Sequence, residues 1–327
     1  MQRLLHSQRY LLLACLVVAV LPLALNSGSL ASEVLVFALA ALGCNMLLGY
    51  AGLLSFGQGI FFGIGSYAAG IILLRTGLPL VWTLLAASLI GAVIAAAVGW
   101  FAIRRQGVYF VLLTLAFSQM FYFLAYTLTD WTGGDNGLLD IPRPPLTVFG
   151  QVILPAGSSW QYYWIIALIF LLTFWLLQRI ADSIFGHTLL AIRDNEARAN
   201  AIGYNVRRFK LAAFMISGAV TGLAGALYAT MTGIAPLESI QYHMSELILV
   251  ITVIGGTGRL FASVVGAVFY VIVADVLSDI WPRWLMLLGL LLMAVSLYMQ
   301  GGLWGMIELA AARLRKPVRR TSAPRES

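Results

Sequence analysis

The sequence predicts an all-α fold: a polytopic integral membrane protein of about ten transmembrane helices, with glycine-interrupted segments in both halves. Three observations predict it. Of 327 residues, 61% are hydrophobic and only 10% are charged, against roughly 25% charged in a soluble domain. Mean hydropathy is +0.92. Apolar runs near 20 residues recur along the chain, the length a helix needs to cross the hydrocarbon core. Backbone polar groups have no water to bond in that core, so helices are the default way through it.

The elements follow in order. Arg3 and Arg9 precede the apolar run 10–25, read as a retained first helix rather than a cleaved signal peptide, because further spans follow directly. Span 2 covers 30–48, and the glycine-rich stretch 49–59, GYAGLLSFGQG, interrupts it. Span 3 runs to Leu74, span 4 covers 79–103 and ends on Arg104 and Arg105, and span 5 covers 107–128. The segment 129–160 holds four prolines, five glycines and three aspartates but one basic residue, Arg143. That composition reads as an external loop. Span 6 covers 161–178 and span 7 covers 211–231. The run 245–254 is too short to cross unaided and reads as a half-helix or a tilted segment. Gly255–Gly258 breaks the chain again before spans 9 (260–280) and 10 (284–300). One transmembrane domain thus covers 1–312, and the basic tail 313–327 is expected to be disordered.

Between spans 6 and 7 lies a charged island, 179–210, with six of the chain's twenty basic residues: Arg179, Arg193, Arg198, Arg207, Arg208 and Lys210. With the N-terminus inside, ten spans place seventeen basic residues inside and only Arg75, Arg143 and Arg283 outside. This asymmetry puts both termini and the island in the cytoplasm. Nine tryptophans fall near span ends, an interfacial belt. The net charge of +7 therefore reflects orientation in the lipid bilayer rather than nucleic-acid binding.

The island has helix grammar. The stretch 188–202 lacks glycine and proline, and Gly203 stands where a C-terminal cap would. Asp194 and Arg198 have the favourable i,i+4 order. The expectation is one short docking helix across the membrane face, with a solvated loop as the alternative. On span 5, Thr114, Ser118 and Tyr122 share a helical face and Gln119 lies beside them. They are candidates for the pathway of a small polar solute, or for hydrogen bonds between helices. Ser55 and Gln58 in the first glycine break are further pathway candidates, because freed backbone is tolerated only inside protein or beside water-filled cavities. Two tight turns remain the other reading of the breaks. The paired glycines Gly59–Gly63 and Gly218–Gly222 suit close helix packing.

Several chemistries are missing. No G-x-x-x-x-G-K-[ST] occurs, and the two lysines, Lys210 and Lys316, do not follow glycine, so the chain is not expected to bind ATP in that manner. The three histidines show no metal-ligand spacing, and both cysteines lie in apolar spans. Neither a metal nor a catalytic constellation is expected. Glu246, Asp275 and Asp279 lie near span ends, whereas an ion-coupled carrier would hold ionisable groups deeper.

Three segments in order carry a resemblance. AIRDNEARANAIGYNVRRFKLAAFMISGAVTGLAGALYA (191–229), GYAGLLSFGQGIFFGIGSYAAG (49–70), and YFVLLTLAFSQMFYFLA followed by WTGGDNGL (within 109–138) resemble the permeases of branched-chain amino-acid ABC transporters of the LivM type. The resemblance implies a permease subunit in the bacterial inner membrane, paired with a second, related permease. Two cytoplasmic ATPase subunits would bind ATP and magnesium, leaving no cofactor on this chain, and a periplasmic binding protein would deliver leucine, isoleucine or valine. It also implies that Arg193, Asp194, Glu196, Ala197, Arg198 and Gly203 form the ATPase-coupling segment, with Glu196, Ala197 and Gly203 falling on a looser version of the EAA-type motif. Urea and short amides are the alternative solutes among related permeases.

Overall fold

A computed structural model describes residues 2–148, 151–298 and 301–314. The helices are α1 (Gln2–Ala24), α2 (Gly28–Asn45, prolonged by a π-helical turn Met46–Tyr50), α3 (Gln58–Thr76), α4 (Leu80–Ala102), α5 (Val108–Thr127) and the single turn α6 (Thr129–Thr132). They continue as α7 (Ser159–Ala181), α8 (Ile184–Asp194), α9 (Glu196–Ala201), α10 (Val206–Thr232), α11 (Tyr242–Gly255), α12 (Leu260–Ile280), α13 (Trp284–Tyr298) and α14 (Gly302–Leu314). Among the described residues seven helices are long and apolar enough to cross a membrane, and Tyr10–Ala24 within α1, Tyr242–Gly255 and Trp284–Met293 are shorter apolar helical stretches. The ten apolar segments are therefore present, seven of them at full spanning length. The basic tail beyond Leu314 and the last two residues of span 10 lie outside the described residues.

The core forms around α2 and α10. From Val34 to Leu47, every α2 and π-turn residue is buried, and α2 packs against α7, α10, α11 and α12. No hydrophobic drive separates helix from lipid in the bilayer, so close van der Waals approach holds such bundles together. Glycines permit it. A Cβ on Gly65 would fall 1.9 Å from the Gly222 carbonyl oxygen, and one on Gly225 would fall 1.8 Å from that of Phe62. Gly91 and Gly218 bring α4 close to α10, a Cβ on Gly91 falling 2.6 Å from the Gly218 carbonyl oxygen. The paired glycines thus serve packing, as their spacing predicts.

The first glycine break is no tight turn. After Ala51 the chain runs non-helically to Gly57, with Ser55 and Gly57 buried. Gln58, which opens α3, meets Ser217 and Thr221 of α10. Ser217 lies eleven residues into α10, or about 16 Å along it at 1.5 Å per residue. The break therefore climbs into the bundle, and α3 starts from inside it. Helix α11 has 14 residues, about 21 Å, less than the ~30 Å hydrocarbon core. Its start abuts the start of α3, where the Gly59 N–H donates to Ser245 Oγ at 2.7 Å. The second break, by contrast, is a compact turn between α11 and α12.

The loop 129–160 is ordered in pieces. It adds a 3-10 turn (Gly134–Asn136) and a two-stranded hairpin, β1 (Leu146–Val148) with β2 (Gln151–Leu154). Leu138 bridges Ala235 through reciprocal backbone bonds of 3.0 and 2.8 Å. The Arg75 guanidinium sits 3.8 Å from the Trp131 ring centroid, clamping the end of α3 to this loop.

One expected helix is corrected. The stretch 188–202 is two helices, because Asn195 is extended (φ −158, ψ 100) and its side chain caps α9 by accepting from the Arg198 N–H at 2.9 Å. Asparagine competes well for such caps. The break also undoes the expected Asp194–Arg198 pair. Asp194 instead lies 3.5 Å from Arg193.

Gly65→Ala is expected to prevent α3 and α10 from closing, with loss of folded protein in detergent extracts. Gly289→Ala, where a Cβ meets nothing within 4 Å, should melt as the unchanged protein does. Size-exclusion profiles and thermal unfolding of both variants check this.

Candidate functional site

A lone amide sits at the centre of the site. Asn45, near the end of α2, is fully buried. Its Nδ2 donates to the Arg259 carbonyl and to Ser263 Oγ, both at 2.8 Å. Its Oδ1 accepts from the Gly258 N–H at 3.0 Å. One side chain thus satisfies the turn that links α11 to α12. The helix then widens into its π turn, and Gly49 comes against Gly258, so that a Cβ on Gly49 would lie 2.4 Å from the Gly258 nitrogen. The two glycine breaks, far apart in sequence, meet here.

Arg193 reaches the same junction from the last turn of α8. Its Nη1 donates to the Gly49 carbonyl, a group freed by the change of helical winding. Its side chain lies over Gly52, where a Cβ would fall 2.7 Å from Arg193 Cγ. Nη1 also passes Gly258, where a Cβ would stand 3.3 Å away. Gly52 and Gly258 both have positive φ, +70 and +88, which side chains resist. The glycines therefore provide both the backbone shape and the slot for one arginine.

The rest of the island is fastened to α10. Glu196 opens α9, where a carboxylate suits the helix dipole, and its Oε2 accepts from Lys210 Nζ at 2.6 Å. Lys210 is only 6% exposed. Beneath the pair, Ile192, Ala199 and Val206 form a small apolar cluster with Phe209. Gly203 takes φ +95 with nothing within 4 Å of a Cβ, so backbone conformation alone asks for glycine. Asp194, Ala197 and Arg198 are exposed. Ile202 is 71% exposed, and Tyr204 stands out beside it. On the other side of the junction α14 closes against the second break. A Cβ on Gly302 would fall 2.7 Å from the Gly256 nitrogen, and Glu308 pairs with Arg259.

The candidates from the first break and α5 separate into two groups. Ser55, Gln58, Thr114 and Ser118 are buried. Gln58 Nε2 donates to Ser217 Oγ at 3.0 Å and its Oε1 accepts from Thr221 Oγ1 at 2.9 Å. Thr114 Oγ1 accepts from the Phe56 N–H at 3.1 Å, tying the break to α5, while Ser118 Oγ has no hydrogen-bond partner. Tyr122 is half-buried and Gln119 is exposed near the middle of α5. The face shared by Thr114 and Ser118 turns inward as the spacing predicts, and Gln119 points off it. Sequence reasoning missed Asn45 and Ile202. The available signals were an amide in an otherwise apolar run and an isoleucine in a polar segment.

A helical bundle with seven full-length apolar helices among the described residues, interrupted helices joined at one end and a charged segment docked on that joint, is the architecture of a multi-pass membrane protein of the transporter kind. The family described as the branched-chain amino acid transport system / permease component matches residues 26–297, and the chain belongs to that family. It is 30% identical over 318 residues to the high-affinity branched-chain amino acid transport system permease protein LivM of Salmonella typhimurium, covering 90% of this chain and 75% of that protein. The Escherichia coli LivM shows the same identity and coverage. Similarity extends to the permease protein LivH of Salmonella typhimurium, 29% identical over 264 residues, or 74% of this chain and 82% of LivH. No solved structure matches the chain.

Asn45→Leu is expected to leave the Gly258 N–H unpaired and the Arg259 carbonyl with only its bond from the Ala262 N–H. At about 1–3 kcal/mol for a buried orphan, thermal unfolding of the purified variant should begin several degrees lower. Ser263→Ala removes only one partner of Asn45 and should shift it less.

Proposed function

We propose that this chain is the permease subunit of an ATP-driven bacterial importer that carries leucine, isoleucine and valine across the inner membrane. In this reading both termini are cytoplasmic, and a second, related permease completes the pathway. Two ATPase subunits bind the island, and a periplasmic protein delivers the solute. The observation that carries the reading is Arg193, whose guanidinium joins the island to the carbonyl of the first break and lies against the second. A partner that moves α8 and α9 would pull on the place where both interrupted helices meet. The absence of a phosphate-binding loop from the sequence fits a chain whose energy comes from partner subunits.

Further features support the partner assignments. Ile202 and Tyr204 present apolar surface beside Asp194, Ala197 and Arg198 on an otherwise polar segment, as a docking face does. Gln119 carries an exposed amide at mid-span, a costly position against lipid. A second permease or a hydrated pathway along α5 would cover it. Alternating access follows if ATP-driven motion of α8–α9 reshapes the junction and with it the starts of α3 and α12.

The deciding experiment is uptake of labelled leucine and of labelled urea in cells with and without this gene. Each is measured under ATP depletion and under an uncoupler that leaves ATP intact. Loss of ATP-dependent leucine uptake on deletion is expected. A defect confined to urea changes the solute, and uptake that follows the proton gradient alone overturns the ATP-driven reading.

Arg193→Gln is expected to lower uptake about tenfold with the protein still inserted, in keeping with coupling energies that amount to 5–150-fold. Glu196→Lys and Lys210→Glu should each depress uptake, and the two combined should restore part of it. Quantitative blotting of membranes and initial uptake rates check both expectations.

A further inference from the structure

A second polar site lies away from the junction, between the end of α4 and the start of α10. A cleft of about 140 Å³ opens there, lined by Gly99, Trp100, Ile103, Arg104, Arg207, Arg208 and Leu211. Its lining brings three arginines together with an aromatic and two aliphatic side chains. Among the described residues none of the three has a carboxylate within 4 Å. Arg104 lies 5.4 Å from the Trp100 ring centroid, and no side-chain hydrogen bond engages Arg207 or Arg208.

This placement is electrostatically unfavourable as it stands. Arg207 and Arg208 sit in the first turn of α10, a 27-residue helix, whose positive end disfavours cations. Lys210, one turn further, is neutralised by Glu196 at 2.6 Å, but the two arginines are not. An anion in the cleft would meet three guanidiniums and the positive end of the helix together. Trp100 and Phe101 are exposed beside it, as aromatic side chains are at a membrane boundary. The combination is a cluster of three arginines with apolar side chains and an exposed tryptophan in one cleft.

We propose that this cleft binds the phosphate headgroup of an anionic phospholipid from the leaflet on the island side, with the acyl chains running down the apolar face of α4. The proposal rests on the orientation given under Proposed function, with the island in the cytoplasm. An acidic segment of an ATPase subunit would suit the guanidiniums but not the exposed Trp100 and Phe101 or the apolar side chains of the lining. The lipid ties the first turn of α10 to the membrane beside the Lys210–Glu196 pair.

The test uses the full chain in nanodiscs of phosphatidylcholine with one-fifth phosphatidylglycerol. After detergent washing, retained phosphatidylglycerol is counted by native mass spectrometry. The unchanged protein is expected to retain it in preference to phosphatidylcholine. Arg207→Gln with Arg208→Gln should weaken retention on the order of thirtyfold, the factor expected of two cations near an anionic surface. Arg207→Lys with Arg208→Lys should keep most of it, which separates charge from misfolding. Arg105→Gln with Arg179→Gln removes the same charge outside the cleft lining and should have little effect. Equal loss in that control overturns the proposal. So does competition by millimolar inorganic phosphate, which would identify a free-anion site. Unchanged lipid retention with loss of co-purifying ATPase subunit would assign the cleft to that protein instead. Because lipid retention is read without transport, failure here leaves the uptake experiment untouched.

Discussion

Backbone that leaves its helix inside a bilayer must find partners within the protein, and the whole arrangement depends on how this chain meets that demand at Asn45. Its amide serves the Gly258 N–H and the Arg259 carbonyl at once. With the second turn held, Gly49 can lie against Gly258, and the freed Gly49 carbonyl is left for Arg193. Remove the amide and two helices lose their common anchor. The island would then dock on a joint with no defined shape.

The glycines divide the remaining work. Those in helix interiors, such as Gly65 and Gly225, bring helix axes together. Those at the joint, Gly52 and Gly258, supply positive φ and room for a side chain. Polar ties between helices then fix register where packing alone is permissive. Gln58 against Ser217 and Thr221 fixes α3 on α10, and Gly59 against Ser245 sets α11 on α3. Each tie is modest in a membrane, about 0.6 kcal/mol on average. Their value lies in specifying one arrangement of helices whose surfaces are chemically alike.

Much of this was legible in the sequence. Apolar runs located the spans, and glycine spacing located the close crossings, because both depend on local composition. The inward face of Thr114 and Ser118 followed from helical period. What escaped was non-local. Nothing in the order of residues shows that the two glycine breaks touch, or that Asn45 lies between them. The island illustrates a different failure: 188–202 has no helix-breaking residue by composition, yet Asn195 caps a new helix there. A side-chain hydrogen bond outcompeted propensity. The seating of Arg193 depends on that break, since the last turn of α8 ends just beyond it.

Helix α10 has 27 residues, about 40 Å of uninterrupted rod. At one end it is tied through Lys210 to α9. Just past the other end, Ala235 is stitched by two backbone bonds to Leu138 of the loop, which Arg75 in turn joins to α3. A stiff rod gripped at both ends behaves as a crankshaft. A displacement of α9 and the placement of the Leu138 loop are thus both constrained by the position of this one helix. The two ends of the bundle are tied to one another through a single helix.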